Sequence, residues 1–296
     1  GFRMINFLLL VLQFVMDFII LAIYMAFFLP FLAFILPPSW LKTAESIPYF
    51  EVYFLALSLL IPTLLSRFSF FQSILVSLQG VHKARGQELE IIEAALNPVL
   101  RQAGLRREDF SLYVDNRDEL NAYAIGDRHI VVTRPLLTYL PVPKISGILA
   151  HELGHLQHHH TRWLLMSYGM NMPLAISNWI YRILVAILCI FQVIPFVGLA
   201  ISLFVFFFNT LIRLTNALMG LPIHLLTQYN ARQNEYEADR YAYEIGYGAE
   251  LHNALLDITQ GGAYEPSGFF ARLWSDHPLT QDRLARLRQY VEGGRQ

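Results

Sequence analysis

Two histidines four residues apart, in the run His151-Glu152-Leu153-Gly154-His155, share one face of any helix that carries them. Imidazoles so placed can bind one Zn2+, and Glu152, about a quarter-turn away, can reach a water polarised by the metal. A catalytic zinc needs a third protein ligand. Between His155 and Asn234 there is neither Asp nor Glu, so the first carboxylate downstream is Glu235, in Arg232-Gln233-Asn234-Glu235-Tyr236-Glu237-Ala238-Asp239. Glu235 is the expected third ligand, for one zinc per chain. Asp239 lies one helical turn on, where it can accept the outer N–H of a ligating histidine and hold its tautomer. Glu237 points elsewhere on that helix and reads as solvent-exposed.

His158, His159 and His160 compete for the third position. The extended pattern HExxHxxGxxH would need Gly where His158 stands and His where Thr161 stands, so it does not fit. The triple histidine reads instead as a polar helix end near headgroups or water. A fourth ligand drawn from His158, His159, His160 or His277 would close the site and make it structural. Retention of Glu152 favours catalysis over that alternative.

The elements that must carry these residues alternate between lipid-like and water-like blocks. The 296 residues are 55% hydrophobic and 15% charged, with mean hydropathy +0.40, which excludes a wholly soluble chain. Net charge is −1 with no basic run, so nucleic acid is not the partner. Cys189 is the one cysteine, so no intrachain disulfide can form. From Met4 to Leu36 the chain is almost unbroken Phe, Leu, Ile, Val and Met, long enough to span a bilayer and too long for a cleaved signal, so it reads as an anchor. After Pro37-Pro38-Ser39-Trp40 a second apolar run, roughly Pro48 to Leu65 and towards Leu78, completes an N-terminal hairpin over 1–78.

A third apolar block, 163–226, carries only Arg182 and Arg213 and is broken near Pro195 and Gly198, so it reads as a second hairpin. Arg182 is costly in mid-bilayer, and either snorkels or marks a helix that begins later. If His151 and Glu235 bind one metal, the block between them must cross an even number of times, which two helices satisfy. Arg67, Lys83, Arg85, Arg101, Arg106 and Arg107 outweigh Lys42 of the first connecting loop, which puts the polar part in the cytoplasm. Within that part, Leu89, Ile92, Leu96 and Val99 make an amphipathic helix over 84–103. Phe110–Val114, Asn121–Ile125 and His129–Thr133 read as short strands of a small sheet, with Gly126-Asp127 as a turn.

Taken in order, a membrane hairpin, a small sheet, HELGH, a second membrane hairpin and RxxEYxAD resemble the HtpX family of membrane zinc endopeptidases, relatives of the CAAX prenyl proteases. Asn121-Ala122-Tyr123-Ala124 resembles the family's NAFA strand, Val131 to Leu137 its VxxGLL segment, and His277-Pro278 with Arg283 its HPxxxxR. Tyr123 stands for the usual Phe and Pro135 for the usual Gly. The resemblance implies a zincin-type α+β catalytic domain with a small β-sheet, inserted in an α-rich integral membrane protein of about four transmembrane helices. Its parts are 79–162, with the edge strand and the HExxH helix, and 227–296, with the third ligand and C-terminal helices. It also implies His151, His155 and Glu235 as ligands and Glu152 as general base. His277 would stabilise the oxyanion, Arg232 and Arg283 would support the site, and Asn121, Ala122, Tyr123 and Ala124 would bind an extended peptide.

These readings converge on a membrane-anchored zinc endopeptidase of a bacterial-type inner membrane, multi-pass, with its active site facing the cytoplasm. It would act on membrane or misfolded proteins in quality control, a substrate class that comes from the resemblance alone. Nothing in the sequence sets an oligomeric state. A CAAX prenyl-protein protease is one alternative, disfavoured by the few spans. A site-2-type intramembrane protease is disfavoured by Lys144, Arg162 and the histidines flanking the motif. A silent membrane scaffold with a structural zinc is the alternative from another class.

Overall fold

The computed structural model describes residues 2–260 and 281–293. The chain divides into two compact units, one of Gly1–Ser66 with Met166–Gln228 and one of Arg67–Leu165 with Tyr229–Gln296.

The first unit is helical and apolar on its surface. Its helices are α1 (Phe2–Ile35), α2 (Pro38–Ser46), α3 (Phe50–Leu65) and the unit's shares of α8 (His160–Ile190) and α9 (Val197–Glu244). Met4–Ile35, His160–Val193 and Val197–Leu218 are each long and apolar enough to cross a bilayer. The pair α2 and α3 meets at 93° and makes either a broken span or a re-entrant loop, giving three to four candidate spans. The expected turn at Pro37 to Trp40 is thus the start of α2, because Pro38 suits a first helical position. The run beyond Leu65 is a separate helix, α4 (Ser69–Leu78), which belongs to the second unit. Phe34, Phe196 and Val193 are 92%, 88% and 85% exposed, a surface suited to lipid and not to water.

Lipid offers apolar side chains no hydrophobic drive to associate, so packing and hydrogen bonds must hold the helices together. Phe27 is fully buried, its ring 4.6 Å from Tyr181, 5.2 Å from Phe204 and 5.3 Å from Phe208. Gln13 donates to the Ser167 carbonyl at 2.9 Å, Tyr24 to Asn178 at 3.0 Å and Tyr181 to Asn209 at 2.7 Å. Gly169 lets α8 approach α3 closely, since a Cβ there would stand 2.6 Å from the Pro62 carbonyl oxygen. Arg182 lies inside α8 and is exposed, so the helix does not begin later. It sits eight residues, about 12 Å, before the helix's C-terminus.

The second unit holds a four-stranded mixed sheet of β1 (His82–Lys83), β2 (Ser111–Asp115), β3 (Ala122–Ile125) and β4 (His129–Thr133), in the order β1-β2-β4-β3. The β2/β4 pair is parallel and the other two are antiparallel. Of its helices, α5 (Gly86–Ala103) and α7 (Val142–Gln157) pack on the sheet, α10 (Gly248–Gln260) packs on α7 and α11 (Gln281–Gly293) on α10, with the short α6 (Arg134–Tyr139) leading out of β4. Ile92, Leu96 and Val99 of α5, Val114 of β2, Ile130 and Val132 of β4 and Ile145, Leu149 and Leu153 of α7 form one core. Pro141 caps α7 in extended conformation, and every residue from Ile145 to Leu156 is buried. Gly147 permits this, because a Cβ would stand 2.3 Å from the Leu251 backbone nitrogen of α10.

His129, on β4, is 3% exposed, and burial above all, then the Arg128 charge, pushes its pKa down to about 4. The unfolded chain binds this proton below about 6.5 and the folded chain does not until about 4, so stability is full above 6.5 and falls as pH drops towards 4. Between pH 7 and pH 5 the wild type should lose roughly 2 kcal/mol more than His129→Leu, read from thermal melting in detergent at both pH values. Equal losses would show that His129 ionises freely in the fold.

Candidate metal centre

His151 and His155 stand one turn apart on α7 with ring centroids 4.7 Å apart and planes at 88°. Glu235, on α9, meets them from across the helix pair. The two Nε2 atoms are 3.1 Å apart, His155 Nε2 is 3.2 Å from Glu235 Oε1, and His151 Nε2 is 3.4 Å from Glu235 Oε2. All three residues are buried, and one ligand atom from each lies within 4.8 Å of the others. On its outer side, His151 Nδ1 lies 2.8 Å from Asp239 Oδ1. Asp239 is the group placed to take that N–H, which is the tautomer whose Nε2 lone pair can face a metal. Lone pairs of nitrogen and carboxylate converging in a buried space repel one another unless a cation sits between them. The His2Glu donor set is one that suits zinc, so the residues fit the metal.

One buried cation offsets part of the negative charge around this centre. Arg283 of α11, 1% exposed, donates from Nε and Nη2 to the two oxygens of Asp239 at 2.8 and 2.7 Å, and its Nη1 is 2.7 Å from Glu235 Oε2. Burial opposes its charge, but Glu235 and Asp239 overcome that and raise its pKa, with Glu152 contributing. Asp239 is pushed up by burial and pulled further down by its bonds to Arg283 and His151, so its pKa is lowered and it stays ionised. For His151, burial acts downward and the bonds to Asp239 and Glu235 act upward, with a net rise. Glu152 is 1% exposed, one residue from His151 on the same buried helix.

Other expected site residues are placed differently. Arg232 is exposed on α9, and among the described residues no ion pair joins it to the centre. His277 lies outside the described residues. Ala122, Tyr123 and Ala124 do lie on an edge strand, but all three are buried, while Asn121 is half-buried just before it. Thr133 donates its backbone N–H to the Asn121 carbonyl at 2.9 Å, so alternation turns the N–H and C=O of Ala122 and Ala124 away from β4. Tyr123 is not a plain substitute for Phe: its hydroxyl lies 2.9 Å from Asp115 Oδ2 and 3.0 Å from Arg117 Nη2.

Sequence reasoning missed His160 and misread Glu237. His160 is 5% exposed, its Nδ1 2.9 Å from His155 Nδ1 and its Nε2 3.1 Å from Glu237 Oε2. Burial first, and then His155 and His158, push its pKa down to about 2, which keeps the ring neutral. Glu237 is therefore half-exposed and engaged with His160, not simply solvated. The reason is the turn between α7 and α8: His159 adopts φ +61°, a left-handed conformation that brings the next residue back towards the preceding helix. No periodicity signals such a reversal in advance.

The second glycine of α7, Gly154, sets the distance between the two ligand-bearing helices. A Cβ there would stand 2.9 Å from the Ala238 Cα, 3.1 Å from its carbonyl oxygen and 3.2 Å from the Tyr241 Cβ. Gly154→Ala should therefore push α9, and Glu235 with it, away from the histidines, at a cost of about 1–3 kcal/mol. The expected result is weaker metal binding together with a lower melting temperature. Wild-type affinity and melting in the variant would show that α9 tolerates the methyl group.

The model of the family described as Peptidase family M48 matches residues 87–291. Among curated proteins, a protease HtpX homolog of Acidiphilium cryptum is 27% identical over 249 residues, covering 73% of this chain and 79% of that protein. A second, from Paraburkholderia phytofirmans, is 27% identical over 220 residues, 62% of this chain and 69% of that one. The beta-barrel assembly-enhancing protease of Escherichia coli is 24% identical over 225 residues, and the chain spans 41% of its length. Among solved structures, S. mikatae Ste24p aligns with a TM-score of 0.48 and 18% identity over 83% of this chain and 60% of that one. With its buried His-His-Glu cluster, its apolar spans and a family model matched over most of its length, this membrane protein belongs to peptidase family M48.

Proposed function

We propose that this chain is a zinc-dependent endopeptidase anchored in a bacterial-type inner membrane, its catalytic domain formed by 79–162 and 227–296 and facing the cytoplasm, acting on membrane or misfolded proteins. The observation that carries the reading is the convergence of His151 Nε2, His155 Nε2 and Glu235 around one point, with Glu152 buried beside them. His151, His155 and Glu235 would hold the metal. Zinc supplies a Lewis acid there, polarising the scissile carbonyl and acidifying water. Glu152 takes the proton of the attacking water and delivers it to the leaving amine, roles open to a carboxylate kept out of bulk solvent. Asp239 would hold the His151 tautomer, and Arg283 would offset part of the charge of Asp239 and Glu235, lowering the cost of carboxylates gathered in one buried site.

Ala122 and Ala124 give the substrate-binding reading its support, since their outward backbone groups could pair with an extended peptide irrespective of its side chains. Because the strand is buried, such a peptide would need the covering chain to move. The cytoplasmic orientation rests on the Lys and Arg excess of the polar segments over the first loop. Quality control rests on the likeness to the HtpX homologs.

Metal removal tests the central claim. A chelator should abolish cleavage of casein by the detergent-purified chain, and one equivalent of zinc should restore it. Undiminished cleavage in the stripped protein would overturn the metalloprotease reading. Zinc bound at one per chain with no cleavage of casein or of membrane-protein substrates would favour the silent scaffold.

A further inference from the structure

We infer that His160 is a positioning residue for the metal centre, held by Glu237 so that it accepts the Nδ1–H of His155 and leaves His155 Nε2 unprotonated towards the metal. The inference rests on the proposed zinc reading and concerns the ligand whose outer partner the sequence did not reveal. His151 has Asp239 on its outer nitrogen at 2.8 Å. His155 Nδ1 faces another imidazole nitrogen, His160 Nδ1, at 2.9 Å. Two ring nitrogens at that distance need one proton between them, and either ring can supply it. The far side of His160 decides which. Its Nε2 is 3.1 Å from Glu237 Oε2, and an ionised carboxylate only accepts, so the proton of neutral His160 belongs on Nε2. Nδ1 of His160 is then the acceptor and Nδ1 of His155 the donor. Glu237, His160 and His155 thus form a carboxylate–imidazole–imidazole chain that does for one ligand what Asp239 does directly for the other.

Both ends of the chain are built in. His160 is 5% exposed and its ring centroid lies 5.2 Å from that of His155, and the left-handed His159 makes this approach by turning the backbone. Glu237 comes from α9, two residues beyond Glu235, so the helix that brings the third ligand also brings the group that sets the proton on the second.

The test measures zinc affinity of the full-length chain in detergent, by competition with a chromophoric chelator, beside the melting temperature of the metal-free protein. His160→Phe should weaken zinc binding about 10- to 100-fold. His160→Gln, whose carbonyl accepts from His155 while its amide donates to Glu237, should restore most of that loss. Glu237→Leu should also weaken binding, because it removes the acceptor that holds the His160 proton on Nε2. A residue that merely fills space would leave zinc affinity untouched in Glu237→Leu, a change at a half-exposed side chain, and that result overturns the inference. If His160→Phe fails to fold, Glu237→Leu still decides. Failure of the wild type itself to bind zinc would instead refute the metal reading beneath it.

Discussion

Glu152→Gln should lower casein turnover by about 100- to 10,000-fold while zinc stays bound at the wild-type level. The two halves of that expectation have separate causes. Gln keeps the size of Glu and its place on the buried face of α7, next to His151, so the three ligand atoms keep their geometry. What disappears is a group that can accept a proton from water and return it to an amine. Glu152 is not one of the three converging ligands, so the metal does not depend on it. Cleavage and bound zinc measured on the same purified samples check both halves. Retained turnover would place the base elsewhere, whereas loss of zinc would make Glu152 part of the metal-holding set and remove the case for its role as base.

Arg283→Met should destabilise the metal-free chain by about 3–5 kcal/mol, the cost of leaving buried carboxylates without their cation. Arg283 is 1% exposed and is hydrogen-bonded or ion-paired to Asp239 twice and to Glu235 once, so its loss removes the cation from both carboxylates at once. The methionine fills much of the volume, which isolates the electrostatic loss from a cavity. Zinc should reduce the penalty, because the metal restores positive charge beside Glu235. Melting of wild type and variant with and without zinc checks this, the gap being wider without metal. Arg283→Lys should fall between, since an ammonium keeps the charge but cannot engage both oxygens of Asp239 and Glu235 in one plane. An unchanged melting temperature in Arg283→Met would show that the carboxylates protonate at little cost.

Much of this molecule is legible in the residues alone, and for physical reasons that can be named. Helical rotation places positions i and i+4 together, so His151 with His155, and Glu235 with Asp239, follow from spacing. The absence of any carboxylate across the intervening apolar block singles out Glu235. Long unbroken apolar runs imply spans because unpaired backbone groups are too costly in lipid for anything but helix. The strands at 111–115, 122–125 and 129–133 follow from β-favouring runs with a Gly-Asp turn between the last two.

By itself, then, the sequence determined the long apolar helices, three of the four strands and the cluster able to hold a metal, because each of those depends on neighbours within a turn or a strand. The tertiary structure decided the rest. Arg283 reaches Asp239 across 44 positions, and His160 reaches Glu237 across 77, through a left-handed His159 that no periodicity reveals. The same holds for the bend of 93° between α2 and α3, for the exposed Arg232 beside the buried Glu235, and for the burial of an edge strand composed like an open one. Each is a choice among conformations that are nearly equal locally, and only contacts between segments distant in the chain carry enough free energy to make it.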